Sequence, residues 1–500
     1  MKLCKFLSLL SIIPIMLSCT NKNKVDSPNQ KDIIISGKVQ NTNPDNRKVR
    51  IIINRLGLES NRYYSELDDN GFFNINFKSY IPSDVRITYE NANFLILTHP
   101  GDSIHIEFDN NKEVNPPTIS FTGDAFKSNL EVIKFQKSLK QNEPDFNKIQ
   151  EATKSLNYEE FKIFMDSVNK KLLKVYEDFV KIENPSDEVK IWGYIYCQEP
   201  YYYFLSWYPS DHAEMNKLDN FSVPINYYDF QLTLLPLKKE YCISTYQLSQ
   251  YINQFLFGYI KNKILEENKE QIRSNPESIN SDSLYVDGII KHISDPLLRQ
   301  LVLTERIRQN LDKKSLSIFE NYQDIIIKNI TEPFLIEPLT KKYEIIKQQI
   351  ENPEIASNTI LHDLRGSEIA SIIDSIILKN KNKVIYIDCW GPWCAPCMKE
   401  LPNSKEMMKQ MKDKNIVFVY LCIDSEFPQW EATLTDLQLG GTHYFFDKNQ
   451  STSLRKSLEI NGVPFYLLID KRGIIVDKGS HLRPSNPDIL SKIEKLINEQ

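Results

Sequence analysis

The sequence predicts a multidomain chain with an N-terminal β-sandwich-like domain, an α-helical middle domain and a C-terminal α/β domain. Three observations carry this. Five hundred residues exceed what one hydrophobic core usually serves, which suggests about two to four domains. Apolar residues at 41% and charged residues at 25% form an ordinary soluble balance, so most of the chain can fold. Hydrophobic periodicity then changes twice along the chain, from short β-prone runs to helical spacing to alternating strands and helices.

The N-terminus comes first. Met1-Lys2-Leu3-Cys4-Lys5 is a short basic segment, and the twelve-residue apolar stretch 6–17 is too short to span a bilayer comfortably. Residues 1–18 are therefore expected to be a secretory signal peptide. The stretch closes on Met16-Leu17-Ser18-Cys19, which resembles a bacterial lipobox and implies lipid attachment at Cys19; simple cleavage elsewhere is the alternative. Polar residues 19–31 form a flexible tether. The predicted location is the cell envelope, lipid-anchored on the periplasmic side of a bacterial membrane.

Residues 32–124 carry short β-prone runs at 33–39, 49–53, 72–77, 85–89, 94–98, 103–108 and 118–121. Asp68-Asp69-Asn70-Gly71 and Pro100-Gly101-Asp102 supply turn chemistry between them. Strands at this spacing suggest the small β-sandwich. Residues 125–355 change character. Segments 158–182, 244–267, 296–311 and 333–350 repeat apolar residues every three or four positions, the amphipathic helix signature. An aromatic patch runs from Trp192 through Tyr196 to Tyr201-Tyr202-Tyr203-Phe204 and Trp207-Tyr208. It is read as helix-packing core, with a groove for a partner or a sugar as the alternative.

Residues 356–500 predict a helix at 368–378, a buried strand at 384–389, a helix to about 412 and a second strand at 416–423. A strand-like Tyr444-Phe445-Phe446, a hairpin over 464–477 and a closing helix at 488–498 follow. Alternation of this kind argues for parallel central strands. The closing helix is expected to bury Ile489, Ile493, Leu496 and Ile497.

Cysteine usage points to one site. With Cys4 removed and Cys19 lipidated, Cys197, Cys242, Cys389, Cys394, Cys397 and Cys422 are left, too few for a disulfide scaffold. Only Cys394 and Cys397 have motif spacing. The seven His are scattered, so no metal site is predicted, and a net charge of −5 without a basic block gives nucleic-acid binding no support. A Cys-x-x-Cys pair after a buried strand and at a helix start exposes the first thiol to unpaired N–H groups and the positive end of the helix dipole, which favours thiolate. Cys394 is the expected nucleophile. Cys397, nearly one turn further in and less exposed, would resolve the mixed disulfide. Half a zinc site is the competing reading of the bare pair, but no second pair stands at suitable spacing.

At this point a resemblance is plain. Ile387-Asp388-Cys389-Trp390-Gly391-Pro392-Trp393-Cys394-Ala395-Pro396-Cys397 resembles thioredoxin almost residue by residue. The resemblance implies a thioredoxin fold with a redox disulfide between Cys394 and Cys397. Pro402 would kink the active-site helix, and Val463-Pro464 would form the cis-proline loop that binds extended substrate beside Trp393. Asp388 matches the family's buried acid, which moves the proton of the resolving cysteine; within a buried strand an unpartnered carboxylate is otherwise costly. Cys389 and Cys422 are expected to be inert core thiols. The longer connection between the second strand and Pro464 makes the chain similar to extracytoplasmic reductases of the TlpA and ResA type, in which an N-terminal β-domain of unknown function is common. The resemblance covers only about 140 residues, and the middle segment is not recognised. Two departures stand out: Phe465 occupies a place where the family usually has Thr, and either Asp424 or Glu426 could be the acid found near the end of the second strand.

The function implied is a thiol–disulfide oxidoreductase, reducing protein disulfides with electrons from a membrane thiol donor and needing no metal or organic cofactor. Disulfide oxidation or isomerisation is the alternative within the same chemistry. A ligand-binding lipoprotein with a vestigial redox domain is the alternative outside it.

Overall fold

The structure is a computed structural model. It describes residues 30–499 except 55, 57–60, 112–117, 220, 233–234, 236, 241–243, 276–277, 279–280 and 368–371. The expected signal peptide, Cys19 and most of the tether lie outside the described residues.

The N-terminal region is strand-rich. In order it contains β1 (Lys31–Gln40), β2 (Lys48–Ile53), β3 (Asn61–Glu66), β4 (Phe72–Ser79), β5 (Ser83–Tyr89), β6 (Ala92–Thr98), β7 (Ser103–Asp109) and β8 (Ile119–Gly123). Among the described residues these form two four-stranded sheets, β4-β1-β7-β8 and β3-β2-β5-β6. Every second residue points inward, so Ile33 and Ile35 of β1, Ile51 and Ile53 of β2, and Ile104 and Ile106 of β7 meet in one buried cluster. The Asp68–Gly71 turn forms as expected. Asp68 Oδ1 accepts from the N–H groups of Asn70 and Phe72, and Gly71 takes a φ of +81° that a side chain would strain. β3 is an addition to the predicted strands. Its sequence, Asn-Arg-Tyr-Tyr-Ser-Glu, lies on a sheet edge with no buried residue, so no apolar alternation betrays it.

β6 is also an edge, and helix Phe126–Lys140 covers it with side-chain amides. Asn129 accepts from Leu97 N–H at 2.7 Å and donates to Leu97 C=O at 3.0 Å, and Gln136 does the same for Leu95 at 2.9 and 2.8 Å. The edge is thereby closed to pairing with another chain.

The middle region is helical. Helix Tyr158–Glu183 starts on a capping box in which Asn157 and Glu160 satisfy each other's backbone N–H groups, and it packs along helix Asp187–Asn216. The aromatic patch lies on the second of these. Trp192, Tyr202 and Tyr208 are core, whereas Tyr196, Tyr203 and Phe204 line a cavity of about 440 Å³. The helix expected over 244–267 is interrupted. It consists of α-helical Tyr246–Gln254, a π-turn at Phe255–Ile260 and α-helical Lys261–Glu267. The cause is Gln231, whose amide inserts there, accepting from Tyr259 N–H and donating to Gln254 C=O. Helices Pro296–Asp312 and Pro333–Glu351 fall within a residue of their predicted ends.

The C-terminal region is α/β. β9 (Thr359–Asp363), β10 (Val384–Trp390), β11 (Ile416–Cys422), β12 (Gly441–Phe445), β13 (Phe465–Ile469) and β14 (Ile475–Gly479) form a mixed sheet in the order β14-β13-β10-β11-β12-β9. β10 is buried along its whole length, as a central strand with both faces covered must be. Helix Ile489–Asn498 buries Ile489, Ile493 and Leu496, while Ile497 is only half-buried. The middle and C-terminal regions touch through helices Pro333–Glu351 and Phe427–Leu437, where Asp436 accepts from Lys314 and from Gln349. Among the described residues no helix is long and apolar enough to cross a membrane.

Candidate active site

Alternation along β10 sorts its residues between two layers. Tyr386 and Trp390 join the cluster that holds Cys394, Cys397, Tyr420 and Tyr466; Ile385, Ile387 and Cys389 face the opposite one. Asp388 falls on the first side, in the layer of the redox pair. The chain then turns at Gly391 so tightly that a Cβ there would meet Trp393 Nε1 at 2.5 Å and Ile423 O at 2.9 Å. Trp393 folds into that room. Its Nε1 donates to the Ile423 carbonyl at 3.3 Å, and the ring is left 39% exposed.

Cys394 caps helix Ala395–Gln410, its Sγ accepting from Cys397 N–H at 3.2 Å. That places a sulfur on an orphan donor at the positive end of the helix, the surroundings that stabilise a thiolate once the pair is reduced. Here the pair is oxidised: Cys394 and Cys397 are joined by a disulfide, with Cα atoms 5.2 Å apart. The expected contrast in exposure is narrow in this state, 3% for Cys394 against 1% for Cys397. The open surface belongs instead to Trp393, Ala395 and Pro396. Pro402 lies within the same helix.

The Val463-Pro464 peptide bond is cis. Val463 is half-buried against the cluster of the cysteines, and Phe465, which opens β13, lies opposite Cys389 in the sheet. Asp388 is 1% exposed, stands opposite Tyr420 and Tyr466 in the two flanking strands, and has no partner for its Oδ1 among the described residues. Burial pushes its carboxyl well above the usual range, and the charge of Glu400 adds to the effect.

Glu400 is the residue that sequence reasoning missed. It is buried one turn after Cys397 and accepts from Ser485 twice, from the backbone N–H at 2.9 Å and from the hydroxyl at 2.8 Å. The signal was available, because positions three apart share a helix face. Asp424 is engaged by Arg455 at 2.7 Å, and Glu426 stands at the start of helix Phe427–Leu437 without capping it by its side chain.

Cys389 and Cys422 are free and fully buried, with thiols pushed up by burial, so neither is a nucleophile. Cys197 is likewise free, its thiol pushed up to about 12. Cys242 lies outside the described residues.

A "Thioredoxin-like" family model matches residues 382–475, spanning β10, the cysteine pair, the cis-proline and the start of β14. Thiol-disulfide oxidoreductase ResA of Bacillus thuringiensis subsp. konkukian is 28% identical over 164 residues, 31% of this chain and 86% of that protein. ResA of Bacillus cereus is 27% identical over 139 residues, 26% of this chain and 71% of its own. The C-terminal domain is a thioredoxin-like domain of the TlpA/ResA type. A crystal structure of the thioredoxin domain of a thiol-disulfide oxidoreductase from Bacteroides vulgatus is also similar, at 25% identity, 24% of this chain, 84% of that one and a TM-score of 0.23. The TlpA/ResA-type domain is that of a thiol–disulfide oxidoreductase. The family-model match lies within the C-terminal region.

Proposed function

We propose that the chain is a membrane-anchored periplasmic thiol–disulfide oxidoreductase that reduces protein disulfides through Cys394 and Cys397. The observation that carries this reading is the Cys394–Cys397 disulfide at the capped start of a helix, in one layer with an unpartnered buried acid. Cys394, as thiolate, attacks one sulfur of a client disulfide, and the other client sulfur leaves as thiolate. Cys397 loses its proton and attacks Cys394 Sγ, which releases the second client thiolate and reforms the disulfide seen here. The client gains two electrons and the pair loses them. Asp388, whose proton affinity burial raises well above that of an ordinary carboxylate, accepts the Cys397 proton in its carboxylate form as that thiol reacts. Trp393, Val463 and Pro464 form the surface on which an extended client segment lies.

A membrane thiol donor returns the electrons; residues 1–18 direct export and are removed, and a lipid on Cys19 keeps the protein beside the donor. Residues 356–500 are the redox unit. No metal or organic cofactor takes part.

Cys397→Ser leaves Cys394 able to attack but unable to be released, so clients accumulate as mixed disulfides that reducing agent liberates and mass spectrometry identifies. Cys394→Ser traps nothing and has no disulfide reductase activity. Equal trapping by both variants would sink the proposed roles. A reduction potential well above the roughly −270 mV of thioredoxin would reverse the assigned direction.

A further inference from the structure

A cleft of about 1050 Å³ opens beside the redox motif, and all three regions of the chain wall it. Tyr80 comes from the strand-rich region, Phe257, Lys341 and Ile345 from the helices, and Trp393 and Met398 from the active-site turn. Its volume lies just above the roughly 300–1,000 Å³ of small-molecule pockets, the scale of a polypeptide segment.

Charge in this cleft is lopsided. Among the described residues its lining holds six cationic side chains against two carboxylates. Both carboxylates are committed: Asp312 to Arg308 and Lys342, Asp436 to Lys314. Lys313, Lys341 and Lys399 are exposed, and none of them has an ion-pair partner among the described residues. Interleaved with these free ammonium groups are exposed Phe257, Ile345 and Trp393. Apolar rings and unpaired cations together complement a segment that carries both acidic and apolar side chains. The chain's own residues 20–29 have the wrong sign, with Lys22 and Lys24 against Asp26.

We propose that the cleft binds acidic residues flanking the cystine of a client polypeptide, so that the helical middle region selects substrates for Cys394. This rests on the thiol-exchange reading above, and the electron balance is the same: the client disulfide is reduced to two thiols while Cys394 and Cys397 are oxidised to their disulfide.

The test uses the full chain, reduced with dithiothreitol and freed of it. Three substrates are compared: a cystine peptide with Glu on both sides of the disulfide, one of equal length with Lys there, and hydroxyethyl disulfide. At low salt the acidic peptide reacts roughly tenfold faster than the basic one, and the gap closes as salt rises. Lys313→Glu with Lys341→Glu removes or inverts the preference and leaves the rate on hydroxyethyl disulfide unchanged. Lys341→Glu alone gives a smaller change in the same direction. Equal rates on both peptides in the wild type, or a preference that survives the double variant, overturn the inference while leaving thiol exchange standing. A wild type inert toward all three substrates overturns thiol exchange, and the cleft proposal falls with it.

Discussion

Asp388 pairs a buried carboxyl with an oxygen that nothing among the described residues satisfies, next to a second buried acid. Its raised pKa means that the folded state holds a proton that the unfolded state releases earlier. The stability it contributes is therefore fully present below the ordinary carboxylate pKa and is lost as pH rises through its elevated folded value. Asp388→Asn removes that slope. Thermal melts across pH 4 to 8 are expected to show the variant gaining on the wild type as pH rises; parallel curves would contradict the raised pKa. The same substitution removes the proposed proton acceptor for Cys397. Resolution of a pre-formed mixed disulfide, followed by stopped flow, should slow by roughly 10²-fold, within the range of general acid–base catalysis.

At the scale of elements, the edge of β6 is the sensitive place. Asn129→Ala leaves Leu97 N–H and C=O unpaired in a site with no solvent, at about 1–3 kcal/mol for each group. Urea unfolding should register a loss of several kcal/mol, where an exposed Asn would lose almost nothing. Ser485→Ala strips one charge-assisted hydrogen bond from Glu400 and should destabilise by about 1.5–3 kcal/mol, read the same way.

What was legible in the sequence follows from which elements carry their own pattern. β1, β2, β5 and β7 announce themselves because each buries one face, and helices 158–183 and 296–312 because apolar residues recur at helical spacing. β3 and β9 do not, since both lie on sheet edges with no buried residue to mark a period. Helices Phe427–Leu437 and Lys448–Leu458 were read only as a connection. The redox motif was legible because its parts are contiguous, and Pro464 because thioredoxin-like chains share it. Glu400 needed the helix to be built, and the cleft needed segments as far apart as Gln30 and Asp436 to be brought together, which no local pattern encodes.

Across the whole molecule, the strand-rich and helical regions are joined by an ionic clamp. His99, just past β6, lies 3.1 Å from Asp102 and 2.5 Å from Glu188 at the start of helix Asp187–Asn216. Hydrogen bonding to Asp102 and then to Glu188 raises its pKa to about 10. A histidine raised in this way stabilises the fold fully below its unfolded value of about 6.5, and the contribution disappears as pH climbs through the folded one. His99→Gln should therefore lower the melting temperature at pH 6 to 7, with the deficit shrinking toward pH 10. A deficit that does not change with pH would mean that the ring acts by packing alone.

Gln30 lines the same cleft as Trp393, so the chain enters the described fold on the redox side of the molecule. Eleven positions separate it from Cys19, and a segment of that length reaches at most about 40 Å even when taut. With the proposed lipid on Cys19, the enzyme is leashed by its working face. The mouth of the cleft can then patrol only a thin shell above the bilayer, and any electron donor or client must bring its sulfur into that shell to be served.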